Sequence, residues 1–114
     1  MNGPRRIQLS RAKGWRMPPD TVKVDRSTRH GNPWRVVPPG RHGRWRVDGP
    51  GLGLHPAAGL CGNREGAQLL AVRIFRGEAE RRGLGRDLRG LNLACWCGPD
   101  DPCHADVLLE LANR

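Results

Sequence analysis

Several residue types and signals are scarce or missing in this chain of 114 residues. Tyrosine is absent, phenylalanine occurs once, and only Lys13 and Lys23 of the 20 basic residues are lysines. No apolar run approaches the roughly 20 residues that cross a bilayer, and residues 1–9 lack the layout of a secretory signal. We therefore expect a cytoplasmic protein that makes no membrane contact and keeps its thiols reduced.

Three familiar site signatures are also missing. The sequence contains no P-loop, no glycine-rich dinucleotide motif and no paired-carboxylate arrangement. Apolar residues make up only 37% of the chain, beside 16 glycines and 10 prolines. This composition predicts one domain over residues 1–114, with a modest core and long loops.

The net charge of +9 lies entirely in the first half of the chain. Residues 1–57 hold twelve basic and three acidic side chains, whereas residues 58–114 hold eight of each sign. A one-sided basic field favours polyanionic partners such as nucleic acid or nucleotides. A GC-rich genome would produce the same arginine bias without selection for binding, so composition leaves both explanations open.

Tryptophans alternate with arginines in this basic half. Trp15, Trp34 and Trp45 each have arginines close by in the sequence. Such a pattern is typical of a cationic groove that stacks nucleic-acid bases. The same tryptophans could instead supply core packing in a chain with a single phenylalanine, and we favour packing for Trp34.

Apolar periodicity predicts the elements of the first two thirds of the chain. Alternation around residues 7–9 and 22–24 indicates two short strands. Residues 35–62 are rich in glycine and proline and predict a long loop excursion, which residues 44–47 interrupt. From Asn63 a three- and four-residue spacing predicts an amphipathic helix that ends near Gly77 or Gly83.

Residues 91–113 predict a strand, a loop and a helix. The strand covers residues 91–97, and the helix begins with Asp101 as N-cap and Pro102 in its first position. The predicted fold is a small single α/β domain with a short mixed β-sheet, about two α-helices and a long Gly/Pro-rich loop.

Three cysteines and a histidine cluster in this C-terminal segment. On a strand, Cys95 and Cys97 project to the same face. Cys103 and His104 would open the last helix, where backbone donors and the helix dipole favour anions, including a thiolate. Cys61 stands alone in a loop, and we assign it no role.

Three interpretations of the cluster remain open. Cys95, Cys97, Cys103 and His104 supply three sulfurs and one nitrogen, a tetrahedral zinc set, although their spacing is not that of common zinc knuckles. Alternatively, Cys103 is a nucleophile or redox thiol and His104 a general acid or base. In the third interpretation the cysteines are small buried apolar residues and His104 caps the helix.

Three segments also resemble a known family of small phage and bacterial proteins, catalogued as domain of unknown function 4326. They are residues 29–34 (RHGNPW), 88–97 (LRGLNLACWC) and 102–108 (PCHADVL). The resemblance extends from Ile7 to the C-terminus and does not include residues 36–62. It brings no known reaction. It implies that the matching residues form one site, and these are Arg26, Gly31, Asn32, Pro33, Cys95, Cys97, Cys103, His104 and Asp106.

Our leading hypothesis is a pocket for a phosphate-bearing ligand, either a nucleotide or nucleic acid. Cys103 and His104 form its catalytic pair. The ligand-binding residues are Arg26, Arg29, Gly31, Asn32 and Asp106, together with the N-terminus of the last helix. The alternative is a zinc-stabilised module without catalysis that contacts nucleic acid or a host protein. Neither hypothesis specifies a reaction or an oligomeric state.

Overall fold

Among the residues that the structure describes, five short strands come first along the chain and are followed by a helix, a sixth strand and a second helix. The structure is a computed structural model that describes residues 3–41, 43–49, 53–54 and 61–114. The elements are β1 (Arg6–Gln8), β2 (Thr21–Lys23), β3 (Arg35–Val37), β4 (Arg46–Gly49), β5 (Gly53–Leu54), α1 (Arg64–Arg82), β6 (Asn92–Cys95) and α2 (His104–Ala112). A short 3-10 helix, Arg86–Leu88, joins α1 to β6. The predicted small α/β domain with two helices is confirmed.

The first sheet is parallel and has the order β1-β6-β2. Its central strand comes late in the chain, so Ile7 pairs with Ala94 and Val22 pairs with Leu93 across long sequence separations. A central parallel strand is covered on both faces, which explains why Leu93 and Ala94 are fully buried. All three strands were predicted, with ends that differ by one or two residues.

The second sheet is antiparallel and has the order β3-β4-β5. Val36 faces Val47 in its register. It occupies part of the segment predicted as a loop excursion, while residues 42, 50–52 and 55–60 lie outside the described residues. The predicted single mixed sheet is therefore two separate sheets. Their strands have only two to four residues, too few for a clear alternation pattern.

Helix α1 begins and ends at capping residues. The Asn63 side chain accepts a hydrogen bond from the Gly66 amide at 2.7 Å, as the predicted start requires. Gly83 ends the helix in the left-handed region, with φ of 65°. Of the two predicted ends, Gly83 is therefore confirmed, because Gly77 lies within the helix.

Helix α1 packs against both sheets through one stripe of small and aromatic side chains. Ala67 and Ala71 join a cluster with Val47 of the antiparallel sheet and with Trp34, the residue before β3. One turn further along, Phe75 and its neighbours join a second cluster that contains the central strand and α2. The helix therefore holds the two sheets around a common centre.

Helix α2 starts later than predicted. Its N-cap is Cys103, and His104 is its first residue. The Asp101 carboxylate instead accepts a hydrogen bond from the Gly98 amide at 3.3 Å and closes the preceding turn. The prediction of Asp101 as the cap was therefore wrong, because a nearer unpaired amide competes for its side chain. Neither described helix has the length and apolar character needed to cross a membrane.

Candidate metal centre

The end of β6 meets the start of α2 at a compact group of sulfur and nitrogen atoms. The sulfurs of Cys95 and Cys103 and a ring nitrogen of His104 all lie within 4.8 Å of one another. All three residues are buried, with exposed fractions of 6%, 2% and 5%. The predicted meeting of the strand end and the helix start is confirmed, and the group could hold a metal ion.

The imidazole of His104 is fixed by a backbone carbonyl. Its Nε2 donates to the oxygen of Val24 at 2.5 Å, and the Val24 amide in turn donates to Ala94 at 2.8 Å. Phe75 packs edge-on against the ring at a centroid distance of 5.2 Å. The other nitrogen, Nδ1, lies 3.9 Å from the Cys103 sulfur. Metal-binding histidines typically donate their second nitrogen in this way.

Cys97 lies at the side of this group. Its sulfur is 3.7 Å from that of Cys95, close to the edge of about 3.8 Å expected between sulfurs that share a tetrahedral zinc ion. It is half-buried and falls outside the group whose atoms are all mutually close. Strand β6 ends at Cys95, so Cys97 belongs to the bend that follows.

The thiols and the imidazole shift one another's protonation. Burial disfavours the charged ring of His104, but hydrogen bonds with Cys103 and Cys95 raise its pKa to about 9. Hydrogen bonds with Cys103 and Cys97 hold the pKa of Cys95 well below its usual range, and the same sharing raises the pKa of Cys97. These groups therefore share protons with one another, and a cation that binds to them displaces protons.

Arg6 organises the loop between the two halves of the group. From β1 its guanidinium donates to the carbonyls of Gly98, Pro99 and Asp101 at 2.6–3.0 Å, and it lies 3.3 Å from the Asp106 carboxylate. Partial burial opposes its charge, but Asp106 and Cys103 hold the pKa of Arg6 above its usual value. Arg6 therefore fixes the path by which the chain returns to α2.

A cavity of about 720 Å³ opens above the group. It is lined by Asp25, Arg26, Asn32, Trp34, Arg35, Val36, Pro38, Trp45, Arg64, Gln68, Ala71, Val72, Cys95, Trp96, Cys97, Pro102, Cys103 and His104. The Trp96 indole donates to Asp25 at 2.9 Å, and the Arg11 guanidinium stacks 4.7 Å from its ring centre. This first cavity thus has sulfur and nitrogen donors at one side, and tryptophans and arginines around them.

The arginines of the first cavity have no acidic partner in the part of the chain that the structure describes. Among the described residues, Arg26, Arg35 and Arg64 make no ion pair, and Arg26 donates only to the carbonyl of Trp34, at 3.2 Å. Partial burial and repulsion by Arg35 lower the pKa of Arg26. An anion in the cavity would relieve that repulsion.

Part of the sequence-predicted site comes together here. Arg26 and Asn32 line the first cavity with all four of the clustered cysteine and histidine residues. The Asn32 amide is already engaged, donating to Ala71 at 3.3 Å and accepting from the Trp34 amide at 2.9 Å. Its contacts indicate that it shapes the turn.

The remaining predicted residues lie elsewhere. Arg29 and Gly31 line a second cavity of about 780 Å³, and Arg29 pairs with Asp87. Asp106 lines neither of these two cavities and pairs with Arg6. Whether these three residues contact a ligand stays a prediction. Cys61 is buried beside the Trp34 cluster, away from the other cysteines.

Several residues of the site were not predicted. Arg6 is more than ninety residues from the carbonyls of Gly98 and Pro99, and no spacing in the sequence connects them. Arg35 and Trp45 belong to the alternating arginines and tryptophans, which did point to a cationic aromatic surface. The Val24 carbonyl has no sequence signal, because it is a backbone atom.

Comparison with known proteins gives one result. A family model described as Domain of unknown function (DUF4326) matches residues 7–114. No curated protein and no solved structure matches the chain.

Proposed function

Because the chain belongs to the family described as Domain of unknown function (DUF4326), we propose its function from the site alone. The domain binds a zinc ion and takes a phosphate-bearing ligand, a nucleotide or nucleic acid, in the first cavity. Cys95, Cys103 and His104 hold the ion, and Cys97 is the nearest fourth donor. The main support for the metal is that the donor atoms of Cys95, Cys103 and His104 lie within 4.8 Å of one another.

Two further features support ligation over catalysis. Cys103 and His104 are 2% and 5% exposed, and a nucleophile and its base need access to a substrate. The Val24 carbonyl leaves Nδ1 of His104 as the free donor atom towards the thiols. Approach of Cys97 would complete three sulfurs and one nitrogen, the closed shell of structural zinc sites.

The phosphate-bearing ligand rests on the arginines. Arg26, Arg35 and Arg64 line the same cavity and have no acidic partner among the described residues. Planar guanidinium groups bind phosphate oxygens in pairs of hydrogen bonds. A cavity of about 720 Å³ falls in the range of about 300–1,000 Å³ that holds a small ligand.

Elemental analysis of the purified protein tests the metal. We expect one zinc per chain, lost in Cys95→Ser and Cys103→Ser and kept in Cys61→Ser, which changes an equally buried cysteine outside the group. Replacement by cobalt should give a thiolate-to-metal absorption band that weakens in Cys97→Ser. A purified protein that is folded and contains no metal would overturn the zinc site. It would favour Cys103 and His104 as the reactive pair.

Binding of nucleoside monophosphates tests the cavity, with the unphosphorylated nucleosides as the comparison. We expect measurable binding only with the phosphate present, and at least tenfold weaker binding in Arg26→Gln. Arg73→Gln removes the same charge from an exposed position of α1 outside both cavities and should change little. Equal binding of nucleosides and nucleotides would contradict a phosphate site.

A further inference from the structure

The two cavities meet at a pair of arginines. Arg26, Asn32 and Arg35 line both the first cavity, beside the cysteines, and the second, which also includes Arg29, Gly31 and Arg82. Since the same side chains form a wall of each, the cavities are neighbours along one surface. The guanidinium groups of Arg26 and Arg35 repel each other at this junction.

Positive charge continues beyond the junction. The second cavity adds Arg29, which is held by Asp87, and Arg82, which makes no ion pair among the described residues. Its wall also contains the acidic residues Asp48 and Glu78, and Asp48 is paired with Arg46 at 3.6 Å. Arginines therefore outnumber acidic side chains in each cavity and in the two together.

The combined space exceeds the needs of one nucleotide. Each cavity has a volume that by itself suits one small ligand, at about 720 Å³ and about 780 Å³. The aromatic surface is unequal: Trp45 and Trp96 line the first cavity only, and Trp96 is 41% exposed. Aromatic rings beside a positive groove are the pattern that binds single strands.

We propose that the phosphate-bearing ligand is a single strand of nucleic acid that spans both cavities. A base lies against the tryptophans of the first cavity, and the backbone passes between Arg26 and Arg35 into the second. The proposal rests on the phosphate site proposed above and extends it from one phosphate to several. A neighbouring phosphate at the junction neutralises two like charges that have no other acidic partner within the described chain.

The experiment compares ligands of increasing length. A mononucleotide, a dinucleotide and a longer oligothymidylate, each carrying a 5′ phosphate, are titrated at several salt concentrations, with a duplex as a further ligand. We expect tighter binding with each added phosphate, and weaker binding of the duplex. A salt dependence that steepens with strand length would report the additional phosphate contacts.

Three variants locate the contacts. Arg64 lines only the first cavity, so Arg64→Gln should weaken the mononucleotide and the oligonucleotide alike. Arg82 lines only the second, so Arg82→Gln should spare the mononucleotide and reduce the oligonucleotide's salt slope by about one. Arg81→Gln is the matched control, because Arg81 is the neighbour of Arg82 in the sequence but lines neither cavity.

The outcomes separate this inference from the site on which it rests. If the mononucleotide binds but the oligonucleotide binds no tighter, or Arg82→Gln behaves like Arg81→Gln, the extended strand is overturned while the phosphate site stands. If no phosphate-bearing ligand binds, the phosphate site itself fails. Tighter binding of the duplex would also contradict a single strand.

Discussion

The parallel sheet and the antiparallel sheet contribute different chemistry to the same cavity. The central strand of the parallel sheet and α2 bring the buried donors Cys95, Cys103 and His104 together. The antiparallel sheet brings the exposed Arg35, and the residue just before β4 is the half-buried Trp45. One side is therefore built like a core, and the other like a binding surface.

This difference has consequences for rigidity. The sulfur and nitrogen donors sit within the larger apolar cluster, beside the fully buried Leu93 and Leu108, so their positions are fixed by packing. Arg26 and Arg35 extend from a turn and from a strand, make no ion pair among the described residues, and can adjust to a ligand. We therefore expect metal binding to weaken when the packing around the donors is disturbed. Binding of the phosphate-bearing ligand should weaken when an arginine charge is removed.

Metal removal should have the largest effect on stability. The loss should be greatest on the parallel side, by which we mean the parallel sheet together with α2. Zinc sites in small domains contribute on the order of 10 kcal/mol, comparable to the total stability of about 5–15 kcal/mol of an ordinary domain. We expect a strong chelator to lower the melting temperature by tens of degrees. Hydrogen exchange, followed residue by residue, should show the amide of Leu93 losing protection before that of Val47.

Exchange of both amides at the same chelator concentration would show that the two sheets open as one unit. The comparison of the two sides would then fail, although the metal site would stand. A control with the chelator already saturated with zinc should leave both amides protected.

Loss of Arg6 should have the next largest effect. Arg6→Met leaves three carbonyls and a carboxylate without their partner, at about 1–3 kcal/mol for each group that stays buried. Because the affected loop leads into Cys103, we also expect metal affinity to fall about 10–100-fold, as for other residues that orient ligands. Competition with a chromophoric chelator measures that affinity.

Arg5→Met provides the control, since the neighbouring Arg5 is exposed and it is the Arg5 backbone amide that donates to the Asn92 side chain. Arg6→Lys tests the geometry, because lysine restores the charge but not the planar fork. If Arg6→Met lowers stability yet leaves metal affinity unchanged, Arg6 supports the sheet and does not position the donors.

The turn between the two sheets should give an intermediate effect. A Cβ at Gly31 would lie 2.4 Å from the Asp25 carbonyl, which forces the backbone to move. We expect Gly31→Ala to cost about 1–3 kcal/mol in urea unfolding, like other overpacked sites. Gly77→Ala, with nothing within 4 Å inside α1, should instead stabilise by about 0.5–1 kcal/mol. If both variants were stabilised, the close approach of Gly31 to the Asp25 backbone would be refuted.

The parallel side was also the more predictable from sequence. Its strands alternate or are continuously apolar, and Asn63 and Gly83 mark the ends of α1 with side chains and backbone angles that have few substitutes. The cluster at Cys95 and Cys103 followed from a strand and a helix joined by a short loop. Such local signals do not depend on the rest of the fold.

The antiparallel side and the contacts between elements could not be read in this way. Strands β3 and β4 gain their apolar environment only after Trp34 and Val47 pack against α1, a contact that no local pattern announces. The predicted N-cap of α2 was wrong because the Asp101 carboxylate accepts a hydrogen bond from the Gly98 amide instead. Pairing of β1 with β6 brings Arg6 to the site, and a hydrogen bond from the Val24 amide to Ala94 brings the Val24 carbonyl there.

Acidification should have the smallest effect on stability. It acts at Asp25, which accepts a hydrogen bond from Trp96 at the first cavity. Burial opposes the charge of Asp25, but hydrogen bonds from Ser27 and Trp96 hold its pKa below the usual range. Its contribution to stability is therefore complete above the unfolded value of about 3.9 and is lost as the pH falls through the lowered folded value. In Asp25→Asn that part of the pH dependence should vanish.

The measurement is the free energy of unfolding between neutral and acidic pH for both proteins. Both proteins are measured without metal and in a stabilising osmolyte such as sucrose, so that release of zinc in acid does not enter their difference. We expect Asp25→Asn to be less stable at neutral pH, with the gap closing as the pH falls. A gap that is constant with pH would mean that Asp25 holds Trp96 by its shape and hydrogen bonding, and that its charge contributes nothing.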